Sequence, residues 1–428
     1  MQSTKAPRTG PDTAAVTEGP LRVAAFRSLW AGDSLAQLAH QVTQFLLPLL
    51  AVTAIHSSPS SVGVVSASQF LPVIFLSLVA GAYANRVSAR GLLVACNLLR
   101  AAALGVLGVV CAVTGLDFWL LVGAAVVIGC VVVFHDVGYQ SALPRVLAPG
   151  QLTAGNGLYE ASFSAAQMAG PALAGYAVHA LGLPVLMSVT AALFLGSALC
   201  FLPLRLPALN AAEKAREAGV SVRAGLRFTW RTAVIRDLCL QSALSNLHEQ
   251  AFVTAFVLYA IRSLGLSGSA LGLIMGLGSV GALIGSLVVG RLGTRMHAGL
   301  VLSVSLVVAG FSLLVGTAVA RPGSAEPVLA TAFVVNGVAL AAYNVFAMSL
   351  RSTLPPPEYL STVTAGYRLV SRAPMPLGAL LGGVLVDALG GGTAVTVIGV
   401  SMTVCAMSLL RSPLRRVRRL HTAAEHTA

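Results

Sequence analysis

Phe118-Trp119-Leu120-Leu121-Val122-Gly123-Ala124-Ala125-Val126-Val127-Ile128-Gly129-Cys130-Val131-Val132-Val133-Phe134 contains no charged or amide side chain. An α-helix rises 1.5 Å per residue, so about 20 such residues cross the ~30 Å hydrocarbon core of a bilayer. The stretch reads as the start of a membrane span over 118–143. Comparable runs recur on both sides of it, at 28–54, 60–83, 91–113, 152–180 and 184–204. After a polar gap come 237–261, 268–290, 298–320, 328–350, 361–387 and 392–411. Twelve helical spans are expected, and continuous apolar runs exclude a β-barrel, whose strands are short and alternating.

Composition agrees. Of 428 residues, 56% are apolar and 10% charged, whereas a soluble domain needs roughly 25% charged residues to wet its surface. Disorder is excluded, because disordered chains lack apolar groups. The formal charge is +13, but no basic stripe with interleaved aromatics accompanies it, which argues against nucleic acid as a partner. The six cysteines lie in apolar runs without CxxC spacing. They read as small core side chains, with no disulfide framework, metal site or cofactor implied.

Basic residues set the expected orientation. With the N-terminus inside, 22 of the 27 Lys and Arg fall on the cytoplasmic side and only Arg262 and Arg321 outside. Arg100, Arg368 and Arg372 lie within spans. Both termini are therefore expected in the cytoplasm of a bacterial cell, the protein being multi-pass in its inner membrane. Residues 1–22 read as a disordered cytoplasmic tail without the apolar stretch of a signal peptide. Residues 23–204 form one six-helix half and 237–411 the other, with a linker at 205–236 and a basic tail at 412–428. Arg223, Arg227 and Arg231, spaced by four, put an arginine face on an amphipathic linker helix at the inner leaflet.

The halves repeat. Phe26-Arg27-Ser28-Leu29 aligns with Ile235-Arg236-Asp237-Leu238, and Ser60-Ser61-Val62-Gly63 with Ser269-Ala270-Leu271-Gly272, both 209 residues on. Ala180-Leu181-Gly182 aligns with Ala388-Leu389-Gly390, 208 residues on. Six spans per repeat make the repeats parallel, an arrangement found in one large class of transporters.

Gly81-Ala82-Tyr83-Ala84-Asn85-Arg86-Val87-Ser88-Ala89-Arg90 resembles the loop 2–3 signature of the major facilitator superfamily, with Asn85 where the family carries Asp. Gly157, Gly170-Pro171 and Gly175, with Ala166 and Ala174 at two glycine positions, resemble its exporter signature. His135-Asp136-Val137-Gly138-Tyr139-Gln140 and Pro376-Leu377-Gly378-Ala379-Leu380-Leu381-Gly382-Gly383 extend the likeness to bacterial drug and siderophore exporters such as macrolide-efflux and enterobactin-exporter proteins. The resemblance implies an all-α major facilitator fold, a small-molecule substrate, protons as coupling ion and a monomer in the lipid bilayer. It also implies a cavity lined by helices 1, 4, 7 and 10.

A charge in hydrocarbon costs at least about 2.5–3.5 kcal/mol by insertion scales, so charges there face partners or water. Asp33, Gln37, His40 and Gln44 step by four, three and four. They share a helix face, read as a cavity wall. Asp33, Glu249 and Glu160 are candidate proton carriers. His135, His248, Asn336, Tyr343 and Asn344 are candidates to complete the cavity. Asp136 is expected to pair with Arg100 or with Arg86 and Arg90, and Glu160 with Arg368 or Arg372. No phosphate loop, HExxH or GxSxG occurs, so neither an ATPase nor another enzyme is expected. The reading is a proton-coupled antiporter exporting a small hydrophobic or amphiphilic compound, such as a drug, antibiotic or siderophore-like metabolite. Its alternatives are a symporter or uniporter importing a solute, and a non-transporting sensor or scaffold.

Overall fold

The structure, a computed structural model, describes residues 19–84, 87–206, 222–292, 297–355 and 360–411. The 1–18 and 412–428 tails, Asn85, Arg86 and linker residues 207–221 lie outside them.

The N-terminal half comprises α1 (Ala24–Thr53), α2 (Pro59–Ala84), α3 (Ala89–Val113), α4 (Phe118–Val146), α5 (Leu152–Leu181) and α6 (Leu183–Phe201). The short helix α7 (Val222–Arg231) carries the three arginines of the linker. The second half comprises α8 (Ala233–Leu258), α9 (Gly268–Leu292), α10 (Ala298–Val319), α11 (Ala325–Thr353), α12 (Leu360–Arg372), α13 (Met375–Leu389) and α14 (Gly391–Met407). Ten helices among the described residues are long and apolar enough to cross a membrane. The two remaining full-length helices, α5 and α8, carry Glu160 and Glu249, and they cross in the company of less polar neighbours. Large side chains such as Phe75, Val109, Trp119 and Leu199 stand exposed around the bundle, as a lipid-facing surface requires.

The span expected at 361–387 is two helices. It breaks at Ala373-Pro374, because Pro374 has no N–H and its ring crowds the preceding turn. Asn246 on α8 donates from Nδ2 to the Ser371 carbonyl at 2.8 Å, satisfying one acceptor freed at the end of α12.

The repeat reaches the backbone. Among the described residues, left-handed conformations occur at His56 and Gly265, at Gly115 and Gly323, and at Gly182 and Gly390. Each pair is one turn repeated 208 or 209 residues later. His56 alone lacks glycine's freedom, yet its turn closes with the same bonds: Ser57 N to the Ala51 carbonyl and Leu266 N to the Ala260 carbonyl, both 2.9 Å.

The halves meet along two related seams, α5 against α9 and α2 against α13. Both need glycine. A methyl group on Gly175 would lie 2.8 Å from the Gly272 Cα, and one on Gly383 would lie 2.4 Å from the Pro59 carbonyl oxygen. Both seams lie toward the end away from the arginine-rich loops. There Phe45 and Leu49 from one half share a single core with Phe252, Phe256 and Phe333 from the other. At the arginine-rich end the cores separate. Phe26, Leu29, Tyr139 and Phe201 form one, and Leu238, Tyr343, Phe346 and Tyr367 form another. The halves thus share a core at one end and keep separate cores at the other.

Two further bonds close the sealed end. Asp387 Oδ2 accepts from Ser60 N at 2.8 Å, and Arg262 donates to the Ser57 carbonyl. Replacing Gly175 or Gly383 by Val should keep this end from closing. Crosslinking between cysteines placed at Ser60 and Asp387 should fall severalfold; unchanged crosslinking would mean that the seams do not set the closure.

Candidate functional site

The polar residues of α1 divide between two surroundings. Asp33 and Gln37 are buried, with Asp33 only 3% exposed. Gln37 Nε2 donates to Asp33 Oδ2, and His135 Nδ1 on α4 lies 4.0 Å from Asp33 Oδ1. One turn on, Gln44 Nε2 lies 3.1 Å from His40 Nε2, and both side chains are half-buried. The expected continuous wall is therefore covered at its arginine-rich end, where His135 of α4 lies beside Asp33. At about 100° per residue Gln44 falls between Asp33 and Gln37 around the helix, so depth rather than direction separates the two surroundings.

Several buried polar atoms around this group have no protein partner: Gln37 Oε1, His40 Nδ1, Arg100 Nε, His135 Nε2 and Tyr139 Oη. Arg100 is 2% exposed, and its guanidinium carbon lies 5.3 Å from the Phe194 ring centroid. The ring face stabilises the cation in place of a carboxylate.

The repeat shows what the second half puts at these positions. Asp33 corresponds to Ser242, 209 residues on, and His135 to Tyr343, 208 residues on. Ser242 Oγ lies 3.2 Å from Tyr343 Oη and also bonds the Tyr367 hydroxyl. Arg351 sits over the Tyr367 ring, 4.2 Å from its centroid. An acid–imidazole pair in one half is thus a neutral hydroxyl network in the other. Ser242, Asn246 and Tyr367 were not singled out from the sequence, although the repeat offset from Asp33 and Gln37 leads to the first two.

Asp136 pairs across the halves. Its Oδ2 lies 3.9 Å from Arg372 Nη1 at the end of α12. The expected pairing with Arg100 does not form, because Arg100 turns into its own half against Phe194. Arg86 lies outside the described residues, and Arg90 is exposed at the start of α3. Glu160 is half-buried on α5, and Arg372 is committed to Asp136 rather than to it. The Arg368 side chain lies outside the described residues.

Glu249, the repeat counterpart of His40, is half-buried and makes no hydrogen bond or ion pair among the described residues. Its neighbour His248 is not a cleft residue. His248 Nε2 lies 2.9 Å from Ser401 Oγ on α14, and Nδ1 lies 2.7 Å from the Leu244 carbonyl. Successive helical residues diverge by about 100°, so the two cannot share a face. Asn336 likewise turns aside and donates from Nδ2 to the Ala309 carbonyl of α10 at 3.1 Å. Tyr343 is buried in the hydroxyl network, while Asn344 is exposed. Of the exporter signature, Gly170 packs on Gln41 and Gly175 forms the α5–α9 seam, whereas nothing lies near Gly157.

Two parallel six-helix halves joined along glycine seams define a membrane transporter of the major facilitator type. The chain belongs to the family described as transmembrane secretion effector, whose pattern matches residues 15–427. It is 26% identical over 423 residues to the multidrug efflux pump Tap of Mycolicibacterium fortuitum, covering 95% of this chain and 98% of that one. It is also 26% identical over 255 residues to an uncharacterized MFS-type transporter, y4rN, of Sinorhizobium fredii, covering 58% of this chain and 61% of that one. Among solved structures, the nucleoside transporter NupG superposes with a TM-score of 0.71 at 15% identity, covering 90% of this chain and 98% of that one. A bacterial homologue of the human lysosomal transporter Spinster gives 0.68 at 13% identity, covering 95% and 96%. The family and these relatives are transporters, not enzymes.

Because His248 serves packing, His248→Leu should leave transport intact. It should cost about 1 kcal/mol of stability, the usual worth of one interhelical hydrogen bond. Thermal unfolding in detergent and a transport assay check this; lost transport at normal stability would return His248 to the site.

Proposed function

We propose that this chain exports a small, partly apolar compound in exchange for protons by alternating access. The observation that supports the reading is the arrangement of the cores: the halves are joined along glycine seams at one end and keep separate cores at the other, and Asp136, Glu160 and Glu249 are each partly exposed. The excess of Lys and Arg supports a cytoplasmic position for the end with separate cores, and with it an inward-open state in a bacterial inner membrane. The 26% identity to a multidrug efflux pump over nearly the whole chain supports export over import.

Proton carriage falls to Asp33 and Glu249. Asp33 sits in the buried pair with His135, and Glu249 has no fixed counter-charge among the described residues. A bound proton and a bound substrate shift the balance between facing states only as far as each binds one state better than the other. If a proton bound from outside favours the inward-open state, and substrate bound from the cytoplasm after proton release favours the outward-open state, each inward proton step is matched by an outward substrate step. A single chain contains both halves and the whole cleft, which fits a working monomer.

The test is transport in everted vesicles, where lactate-driven respiration makes the lumen acidic. Wild type should accumulate substrate in the lumen and collapse accumulation when nigericin removes the pH gradient. Asp33→Asn should lose gradient-driven accumulation by at least tenfold while keeping downhill exchange. Accumulation that survives nigericin, or an Asp33→Asn variant that remains coupled, would contradict the reading.

A further inference from the structure

We propose that anionic phospholipids of the leaflet at the arginine-rich end bind the arginine face of α7, and that through α7 they hold α12 where Arg372 meets Asp136. Lipid charge then acts on the link between the halves. This control is independent of the substrate, of the direction of transport and of proton coupling.

The height of α7 is fixed by its neighbour. Only Thr232, extended at φ −89° and ψ 103°, separates it from α8. One extended residue spans at most about 3.6 Å, so α7 lies where α8 enters the membrane. Its two sides differ. Thr229 is 1% exposed, whereas Arg227, Trp230 and Arg231 are exposed. At about 100° per residue, Arg227 and Arg231 stand about 160° round the helix from Thr229, one on either side, and the Arg223 position falls next to them. One side of α7 is therefore turned to the protein, and the arginine side is turned away from it, with Trp230 at the border. Neither Arg227 nor Arg231 makes an ion pair among the described residues.

Charge and height together select the occupant. The helix carries three arginines and no acidic residue. Guanidinium groups bind phosphate in a bidentate fork, and an indole ring settles at the boundary between headgroups and hydrocarbon. A headgroup of net negative charge complements this face. A zwitterionic one brings its own cation to compete for the phosphate. Each basic residue near an anionic surface adds about fivefold to binding.

What α7 supports is α12. Among the described residues, α12 packs more extensively on α7 than on α8 or α2. The chain gives α12 little support of its own. Pro355-Pro356-Pro357 precede it and Pro374 follows it, and proline does not continue a helix. Its remaining anchor is Tyr367, whose hydroxyl bonds Ser242 and whose ring lies under Arg351. Arg372, the last residue of α12, stands 3.9 Å from Asp136 on α4. Thus α12 rests on a helix held at the leaflet and ends at the ion pair that joins the halves. Headgroups that fix α7 fix the platform under α12. Without them, α7 is attached only on its protein side and α12 is left to Tyr367.

Brominated lipids test this, because bromine quenches a nearby indole. The purified full chain is placed in nanodiscs of equimolar phosphatidylcholine and phosphatidylglycerol, with bromine carried on the acyl chains of one lipid or the other. The emission lost in Trp230→Phe is the α7 signal. Brominated phosphatidylglycerol should quench that signal at least twofold more strongly than brominated phosphatidylcholine. The preference should vanish in Arg227→Gln/Arg231→Gln and persist in Arg227→Lys/Arg231→Lys. Spin labels at Gln140 on α4 and Leu369 on α12, in a chain whose six cysteines are replaced by alanine, then report the position of α12. Exchanging phosphatidylglycerol for phosphatidylcholine should broaden their distance distribution toward longer values. In Arg227→Gln/Arg231→Gln the broad distribution should appear in both lipids. Equal quenching by the two lipids would overturn the lipid assignment. Selective quenching with a distance that ignores lipid charge would overturn the control of α12. Neither readout needs substrate or a gradient, so both results can stand while gradient-driven export fails, which would remove the antiport reading alone.

Discussion

Close backbone contact between the halves at one end is the constraint on which the rest depends. Lipid tails are as apolar as leucine, so helices in a membrane gain little from hiding apolar surface against each other. Packing distance and hydrogen bonds decide which helices associate. Gly175 with Gly272, and Gly63 with Gly383, let α5 meet α9 and α2 meet α13 almost backbone to backbone. The joint core of Phe45, Leu49, Phe252 and Phe256 fills the space between the seams. Beyond it no shared core exists among the described residues, and the two halves part. Charged side chains that would be costly against lipid are held there among protein partners, as Asp136 is beside Arg372.

The repeat makes the chemistry readable by comparison of its own two copies. Turns, caps and seams are duplicated nearly residue for residue, including the unusual left-handed His56 opposite Gly265. Polar groups are not. Asp33 and His135 have Ser242 and Tyr343 as counterparts, and His40 has Glu249. One half holds a buried ionisable pair near Arg100, and the other closes the same space with hydroxyls. Duplicated features serve the scaffold. Divergent ones mark where the halves differ in chemistry, and they include Asp33 and Glu249, the residues proposed to carry protons.

What could be read from the sequence follows a physical divide. Hydrophobic runs, basic loops and the repeat offset are signals along one dimension, and these gave the spans and the two-half architecture. Azimuth around a helix is not carried by depth. Asp136 and Arg100 lie at similar depth, yet Arg100 turns to Phe194 and Asp136 meets Arg372 of the other half. His248 and Glu249 are neighbours in sequence, but one bonds Ser401 and the other makes no hydrogen bond or ion pair among the described residues. The break at Ala373-Pro374 had a visible cause in Pro374. Its consequence, an arginine at a helix end beside a foreign carboxylate, required the second half to be in place. Asp387 and Arg262, which tie down the segment around Ser57 and Ser60, gave no motif at all, since their partners are backbone groups.

The most direct measurement is the distance between spin labels across each end of the cleft. Labels at Ser88 and His297 span the arginine-rich end, and labels at Thr114 and Ser324 span the opposite end. On acidification and on addition of substrate, the two distances should move in opposite senses, one shortening as the other lengthens. If both stay fixed, or both change in the same direction, the halves do not alternate about the glycine seams and the account is wrong.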